Sequence, residues 1–214
     1  MNEKDPNLHS DRSTRIFGII PAAGVSKRMG QPKLLLPWKS ATVLDAVLAT
    51  WKASNAATAI VVGGELSAQY RPIAIRHGAV LIEPDPRPLE MLESIQAALS
   101  WCAEHLAPCA SDAWMVSPAD QPSISKELIN RLIDEFRMTC GSALVPVSGD
   151  HRGHPVLFPW SAADLAMKLS TGNTLRDLLA QFPLREVDWN DASQWQDIDT
   201  PDAYQTLRRQ SERQ

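Results

Sequence analysis

Three cations stand close together in Ala22-Ala23-Gly24-Val25-Ser26-Lys27-Arg28-Met29-Gly30-Gln31-Pro32-Lys33. They are Lys27, Arg28 and Lys33. The small residues Ala22, Ala23 and Gly24 let backbone amides come close to a ligand, and successive N–H groups in such a loop form an anion-binding concavity. Arg grips phosphate with two parallel bonds, whereas Lys supplies a mobile point charge. A polyphosphate suits this loop, although a solvated basic loop that binds nothing would read the same way. The pattern is not the dinucleotide fingerprint G-x-G-x-x-G. It is not a Walker A loop either, since Gly24 and Gly30 are spaced too far apart and no Lys-Ser or Lys-Thr follows.

Carboxylates supply the second ingredient. Asp120 lies in Ser117-Pro118-Ala119-Asp120-Gln121-Pro122, rigidly placed between prolines. There it could hold Mg²⁺ together with phosphate oxygens. It could equally be a turn or helix-capping Asp. Near the end stands Asp197-Ile198-Asp199-Thr200-Pro201-Asp202. Asp197 and Asp199 point to one side if the segment is extended, so either could complete a metal site. Asp199 or Thr200 could instead cap the last helix, with Pro201 at its first position. His151-Arg152-Gly153-His154-Pro155 offers two histidines but no third ligand, so a substrate-contacting or structural turn fits better than a metal site. No G-x-S-x-G elbow and no Cys in a nucleophile setting support covalent hydrolysis.

The elements that must position these residues alternate. Short apolar runs at 16–21, 58–62, 79–82, 113–116, 142–147, 155–158 and 184–189 read as buried strands. Amphipathic stretches at 43–53, 67–77, 89–105, 125–138, 162–169, 174–181 and 201–212 read as helices. That order implies βαβ units and an α/β fold with a mainly parallel sheet covered on both faces. Ligands then bind beyond the carboxyl ends of the strands, in the loops after Pro21, Val62, Val116 and Val147 and around Ile198.

Composition agrees. Of 214 residues, 44% are hydrophobic and 21% charged, an ordinary soluble globule. The formal charge of −4 argues against a broad nucleic-acid surface. Three cysteines, Cys102, Cys109 and Cys140, are too few and scattered for a disulfide framework or zinc site. Residues 1–14 are polar and read as a disordered leader, not a signal peptide, leaving 15–214 as one domain. No run approaches a membrane span, so the expected location is the cytoplasm, with no membrane partner.

PAAGVSKRMGQPKLLLPW, PADQP, RGHPVLF and DIDTPDAY, in that order, resemble the MobA-like nucleotidyltransferases, and within them the molybdenum cofactor cytidylyltransferases. The likeness runs from about Ile16 to Leu207. It implies a three-layer, Rossmann-like nucleotidyltransferase fold. It also implies transfer of CMP from CTP to the phosphate of molybdenum-bearing molybdopterin, with Mg²⁺ and release of pyrophosphate. On this resemblance Ala22, Ala23, Gly24 and Lys27 contact the nucleotide, Arg28 and Lys33 are the catalytic triphosphate cations, and Gly63 and Ser94 approach base and ribose. Asp120 is the metal-binding, catalytic carboxylate, joined by Asp199 and less surely by Asp197. Gly153, His154 and Pro155 lie on the acceptor side. Relatives that use GTP tend to carry glycine at the position of Ala23, which favours CTP. Pro21 and Ala119 depart from the family pattern, where an aliphatic residue and a glycine are usual. A molybdenum hydroxylase is the implied recipient of the product. Two rival readings share the sequence: transfer to another phosphorylated small molecule such as a sugar phosphate, and a non-catalytic cofactor carrier.

Overall fold

The computed structural model describes residues 14–88, 90–139, 141–170 and 172–212, with the backbone alone at Lys27. Apart from its last residue, the leader expected over 1–14 lies outside them. The strands are β1 Ile16–Pro21, β2 Pro37–Trp38, β3 Ala41–Thr42, β4 Thr58–Val62, β5 Val80–Ile82, β6 Ala113–Val116, β7 Ala143–Ser148, β8 His151–Arg152, β9 Val156–Pro159 and β10 Leu184–Asp188. The helices are α1 Val43–Ala53, α2 Ser67–His77, α3 Met91–Leu106, α4 Lys126–Thr139, α5 Ala163–Lys168, α6 Leu175–Leu179 and α7 Pro201–Ser211. None of them is long and apolar enough to cross a membrane.

The main sheet runs β10-β7-β9-β6-β1-β4-β5, with β8 paired to β7. Pairing is parallel for β1 with β4 and β6, for β4 with β5 and for β7 with β10. Strand β9 runs antiparallel to both β6 and β7. The mainly parallel sheet expected from sequence is therefore present, with β9 as its exception. The reason is length. Only residues 149–155 join β7 to β9, and a parallel crossover needs roughly a dozen residues or more.

Alternation along β1 builds the three layers. Ile16 and Ile20 join the apolar layer under α1, α2, α4 and α7, while Phe17 and Ile19 join the layer under α3, α5 and α6. Gly18 lies flat beneath Trp51, whose ring would meet an added Cβ at 2.3 Å. Helix starts follow local capping chemistry. Asp45 N–H donates to Thr42 Oγ1 at 3.1 Å, and Thr42 N–H donates back to Asp45 at 3.3 Å. At α7 the Ala203 amide donates to Thr200 Oγ1 at 3.2 Å, with Pro201 at the first helical position.

The winding reverses at β1, which has β4 on one side and β6 on the other, and a crevice opens where the loops after β1 and β6 part. The opposite ends of these strands are pinned by one carboxylate. Asp112, 1% exposed, accepts the Arg15 amide at 3.0 Å, Arg15 Nε at 3.1 Å and the Cys109 amide at 2.9 Å. Burial alone would raise its pKa, but the Arg15 side chain and those two amides outweigh it and hold the carboxyl below its ordinary range. A depressed carboxylate stabilises the fold above its unfolded pKa of about 3.9, and that contribution is lost as pH falls through the lower folded value. Asp112→Asn is expected to cost about 2 kcal/mol at pH 7 in denaturant titrations, with the difference from the parent closing below about pH 4.

Candidate active site

The loop leaving β1 begins by extending the sheet, since the Ala22 amide donates to the Val62 carbonyl at 2.9 Å. It then turns back on itself. Ser26 adopts a φ of 50° and Gly30 one of 64°, on either side of a single 3₁₀ turn over Lys27–Met29. Ser26 closes that turn twice, its carbonyl accepting from Met29 N–H at 3.0 Å and its Oγ from Lys33 N–H at 3.3 Å. Met29 and Leu34 are buried, so the neighbouring Arg28 and Lys33 are carried on anchored backbone. The side chain of Lys27 lies outside the described residues. The loop after β4 rests directly on this turn: a Cβ on Gly64 would lie 2.8 Å from the Ala23 carbonyl oxygen. Gly63, the expected nucleotide contact, lies beside Ser67, whose Oγ an added Cβ would meet at 2.1 Å, and its neighbour Gly64 packs on the signature loop. The Gly63-Gly64 pair was the sequence signal, though it reads only as a strand stop.

At the crevice the charges meet. The Lys33 ammonium donates to Asp120 and, at 2.9 Å, to Asp199 Oδ1. Arg28 Nη2 donates to Asp199 Oδ2 at 2.7 Å. Asp120 comes from the loop after β6 and Asp199 from the residue before the α7 cap. Thr200 caps that helix, which leaves Asp199 for the crevice and settles the alternative left open by the sequence. The Ile198 amide donates to the Asp120 carbonyl at 3.1 Å and stitches the two segments together. Asp197 is turned aside, accepting from Gln121 Nε2 at 2.6 Å. Gln121 also donates to the Trp195 carbonyl at 3.0 Å, so it fastens the whole 195–199 segment to the residue following Asp120. Sequence reasoning gave Gln121 no role, and only its place beside Asp120 marked it.

These contacts fix the protonation states. Burial would lower the Lys33 pKa, but Asp120 and Asp199 outweigh it and raise it, so the ammonium persists. Burial would raise Asp199, but Lys33 and Arg28 prevail and hold it down as a carboxylate. Burial and the nearby Asp120 and Asp199 charges push Asp197 upward against its Gln121 bond. Among the described residues no group of three or more His, Cys, Asp and Glu is arranged to hold a metal by itself. Asp120 and Asp199 still offer hard oxygen donors around one shared cation. Mg²⁺ is commonly held by one or two carboxylates, with substrate phosphates completing its shell.

One cleft borders the cluster, and a second meets that cleft at Met91. The first, of about 190 Å³, is walled by Ala22–Gly24, Ser94, Lys33 and Asp120. The other, of about 1030 Å³, is walled by Arg152, Gly153, His154, Thr174 and Arg176, and Met91 borders both. Gly153 lies against the Trp195 indole, which would meet an added Cβ at 2.0 Å, and its amide donates to the Pro146 carbonyl at 2.8 Å. Pro155 is buried and outside the cleft wall. The structure thus gathers Ala22, Ala23, Gly24, Lys33, Ser94 and Asp120 on one cleft, adds Arg28 and Asp199 through Lys33 and its partners, and sets Gly153 and His154 on the next.

The Ala22–Gly24 turn, Lys33 and Asp120 lie together where the loops after β1 and β6 part, the place at which open α/β sheets bind their ligands. Residues 18–187 match the model of the MobA-like NTP transferase domain, and the chain belongs to that family of nucleotidyltransferases. It is 25% identical over 190 residues to the molybdenum cofactor cytidylyltransferase of Escherichia coli K12, covering 89% of this chain and 94% of the relative. It is 32% identical over 125 residues to a molybdenum cofactor guanylyltransferase of Xanthomonas euvesicatoria, covering 58% and 56% of the two chains. The crystal structure of Rv0371c from Mycobacterium tuberculosis H37Rv superposes with a TM-score of 0.76 at 26% identity, covering 92% and 99%. A manganese complex of that same protein superposes at 0.74, with 24% identity and the same coverage.

Proposed function

We propose that the protein is a molybdenum cofactor cytidylyltransferase, moving CMP from CTP to the phosphate of molybdenum-bearing molybdopterin with Mg²⁺ and releasing pyrophosphate. The observation that carries this reading is the Lys33 ammonium shared by Asp120 and Asp199 beside the Ala22–Gly24 turn. Likeness to the Escherichia coli cytidylyltransferase over nearly the whole chain supports the acceptor. Ala23 supports the nucleotide: its methyl stands where GTP-using family members tend to carry glycine, in a turn that Gly64 holds from behind.

On this reading Arg28, Lys33 and the loop amides take the triphosphate, exchanging carboxylates for phosphate oxygens. Asp120 and Asp199 would hold Mg²⁺, which would supply Lewis-acid screening of the phosphate charge. An acceptor phosphate oxygen bonds to the α-phosphorus, the α–β bridge breaks, and its electron pair leaves with pyrophosphate. The acceptor is already anionic, so the chain needs to position and screen more than to abstract a proton. The product passes to a molybdenum hydroxylase, in the cytoplasm.

The test offers CTP, GTP, ATP and UTP separately with Mg²⁺ and molybdenum-loaded molybdopterin, and follows pyrophosphate. CTP is expected to exceed each rival in kcat/KM by roughly tenfold or more, the scale that one misfitted pocket contact supplies. A preference for GTP overturns the nucleotide assignment. Pyrophosphate release only with a sugar phosphate overturns the acceptor, and no release at all with any pair overturns the transferase reading in favour of a carrier.

A further inference from the structure

Asp120 and Asp199, the carboxylates proposed to hold the metal, share one basic partner. The Lys33 ammonium donates to Asp120 and, at 2.9 Å, to Asp199 Oδ1. Arg28 Nη2 takes the remaining Asp199 oxygen at 2.7 Å. Two positive and two negative side chains therefore balance one another. The centre of the group is sheltered, with the side chains of Lys33, Asp120 and Asp199 only 19%, 17% and 29% exposed. Ion pairs at that depth are screened less by salt than exposed ones. A divalent cation held by both carboxylates must stand between them, and that is where the ammonium stands.

The members of this group differ in their freedom to move. The Ile198 amide on the Asp120 carbonyl ties the two carboxylate-bearing segments together. The Lys33 backbone is anchored as well, through its N–H on Ser26 Oγ at 3.3 Å and the buried Leu34 beside it. Its four-carbon stem keeps its own rotamers and lines the same cleft as the Ala22–Gly24 turn. A stem of that kind lets the ammonium leave the carboxylates for a phosphate group lying on the turn. One ammonium cannot serve both partners in full.

We infer that Lys33 is a latch on the metal seat: its ammonium and a divalent cation compete for Asp120 and Asp199, and a triphosphate opens the seat by drawing the ammonium away. The inference rests on the proposed Asp120–Asp199 metal pair and adds a rule of entry to it. A metal arriving alone has to displace Lys33 and leave its charge unpaired in a sheltered place. A triphosphate arriving alone draws the cations off and leaves two carboxylates facing it. Arriving together, the two ligands leave no charge without a partner. Each therefore raises the affinity of the other, and by the same factor. Direct contact between metal and phosphate gives coupling of that sign by itself, so the latch is read from the metal alone.

The probe is Mn²⁺, which like Mg²⁺ suits carboxylate oxygens and whose free form is counted by paramagnetic resonance. The full chain is titrated with Mn²⁺ and no nucleotide. Lys33→Met removes the competitor and is expected to bind Mn²⁺ roughly 10- to 100-fold more tightly than the parent, the scale of one hydrogen bond between charged groups. Lys33→Gln also lacks the charge and is expected to follow it, whereas Lys33→Arg keeps a cation and is expected to show little gain. Arg28→Met is expected to gain less than Lys33→Met, because Arg28 touches Asp199 alone. Adding CTP is expected to tighten Mn²⁺ binding by a larger factor in the parent than in Lys33→Met. Equal gains from Lys33→Met and Arg28→Met would show a diffuse field effect, and no gain from Lys33→Met would show an open seat; either result overturns the latch. Asp120→Asn tests the premise separately. If Mn²⁺ binding with CTP is indifferent to Asp120→Asn, the metal pair is refuted and the latch with it. If that binding needs Asp120 while Lys33→Met gains nothing, the latch alone is refuted.

Discussion

Asp120→Asn is expected to lower kcat by at least about a thousandfold, with the thermal midpoint within a few degrees of the parent, since losing fixed charge at a phosphoryl site removes both metal affinity and electrostatic preorganisation. The residue is placed for that role by backbone rather than by its own charge. Its carbonyl accepts from Ile198 N–H, and its neighbour Gln121 ties down the 195–197 stretch. Asn preserves size and the backbone contact with Ile198, so circular dichroism and denaturant midpoints report an intact fold. Lys33 in that variant still has Asp199 as a partner, so the cluster relaxes without leaving a stranded cation. Turnover within tenfold of the parent would remove Asp120 from the chemistry.

Lys33→Met has the second largest expected effect, and it divides in two. Met fills the stem's place without the charge, so CTP is expected to bind roughly 10- to 100-fold more weakly, the loss of one charge-assisted hydrogen bond. In the free protein the same change leaves Asp120 and Asp199 facing each other with Arg28 alone to screen them. The Lys33 pKa is raised, so its stabilisation is complete below the unfolded value of about 10.4 and is lost as pH rises through the folded value. The Asp199 pKa is lowered, so that carboxylate's share is present above about 3.9 and lost as pH falls through its folded value. The stability cost of Lys33→Met is therefore expected between roughly pH 4 and pH 10 and should fade at pH 3 in thermal melts. Unchanged CTP affinity would remove Lys33 from the triphosphate site.

Much of the architecture was legible because local chemistry and long-range packing agree. The Thr42–Asp45 pair marks the start of α1, and Pro201 after Thr200 marks α7, since these caps act within four residues. The apolar runs of β1, β4 and β6 are doubly covered strands and read as such. What escaped depends on contacts far apart in the chain. Strands β2, β3 and β8 span two residues each, too short for any alternation to show. The reversal of β9 follows from linker length, not from its own residues. At the site, charge and spacing singled out Arg28, Lys33 and Asp120 as candidates while leaving a solvated loop and a capping Asp open, and the family resemblance assigned their roles. Asp199 could not be told from a cap until Thr200 was seen to take that place. Gln121 and Gly64 showed only a place beside Asp120 and a strand-ending glycine pair, because Gln121 grips residues 74 and 76 positions away and Gly64 meets Ala23 across a neighbouring strand.

One measurement bears most directly on the proposed activity: mass analysis of the product formed from CTP, Mg²⁺ and molybdenum-loaded molybdopterin, with pyrophosphate counted in the same reaction. A CMP–molybdopterin conjugate formed one-to-one with pyrophosphate, and absent with Asp120→Asn, is the expected result. Unmodified molybdopterin recovered with intact CTP from the wild-type protein would contradict it.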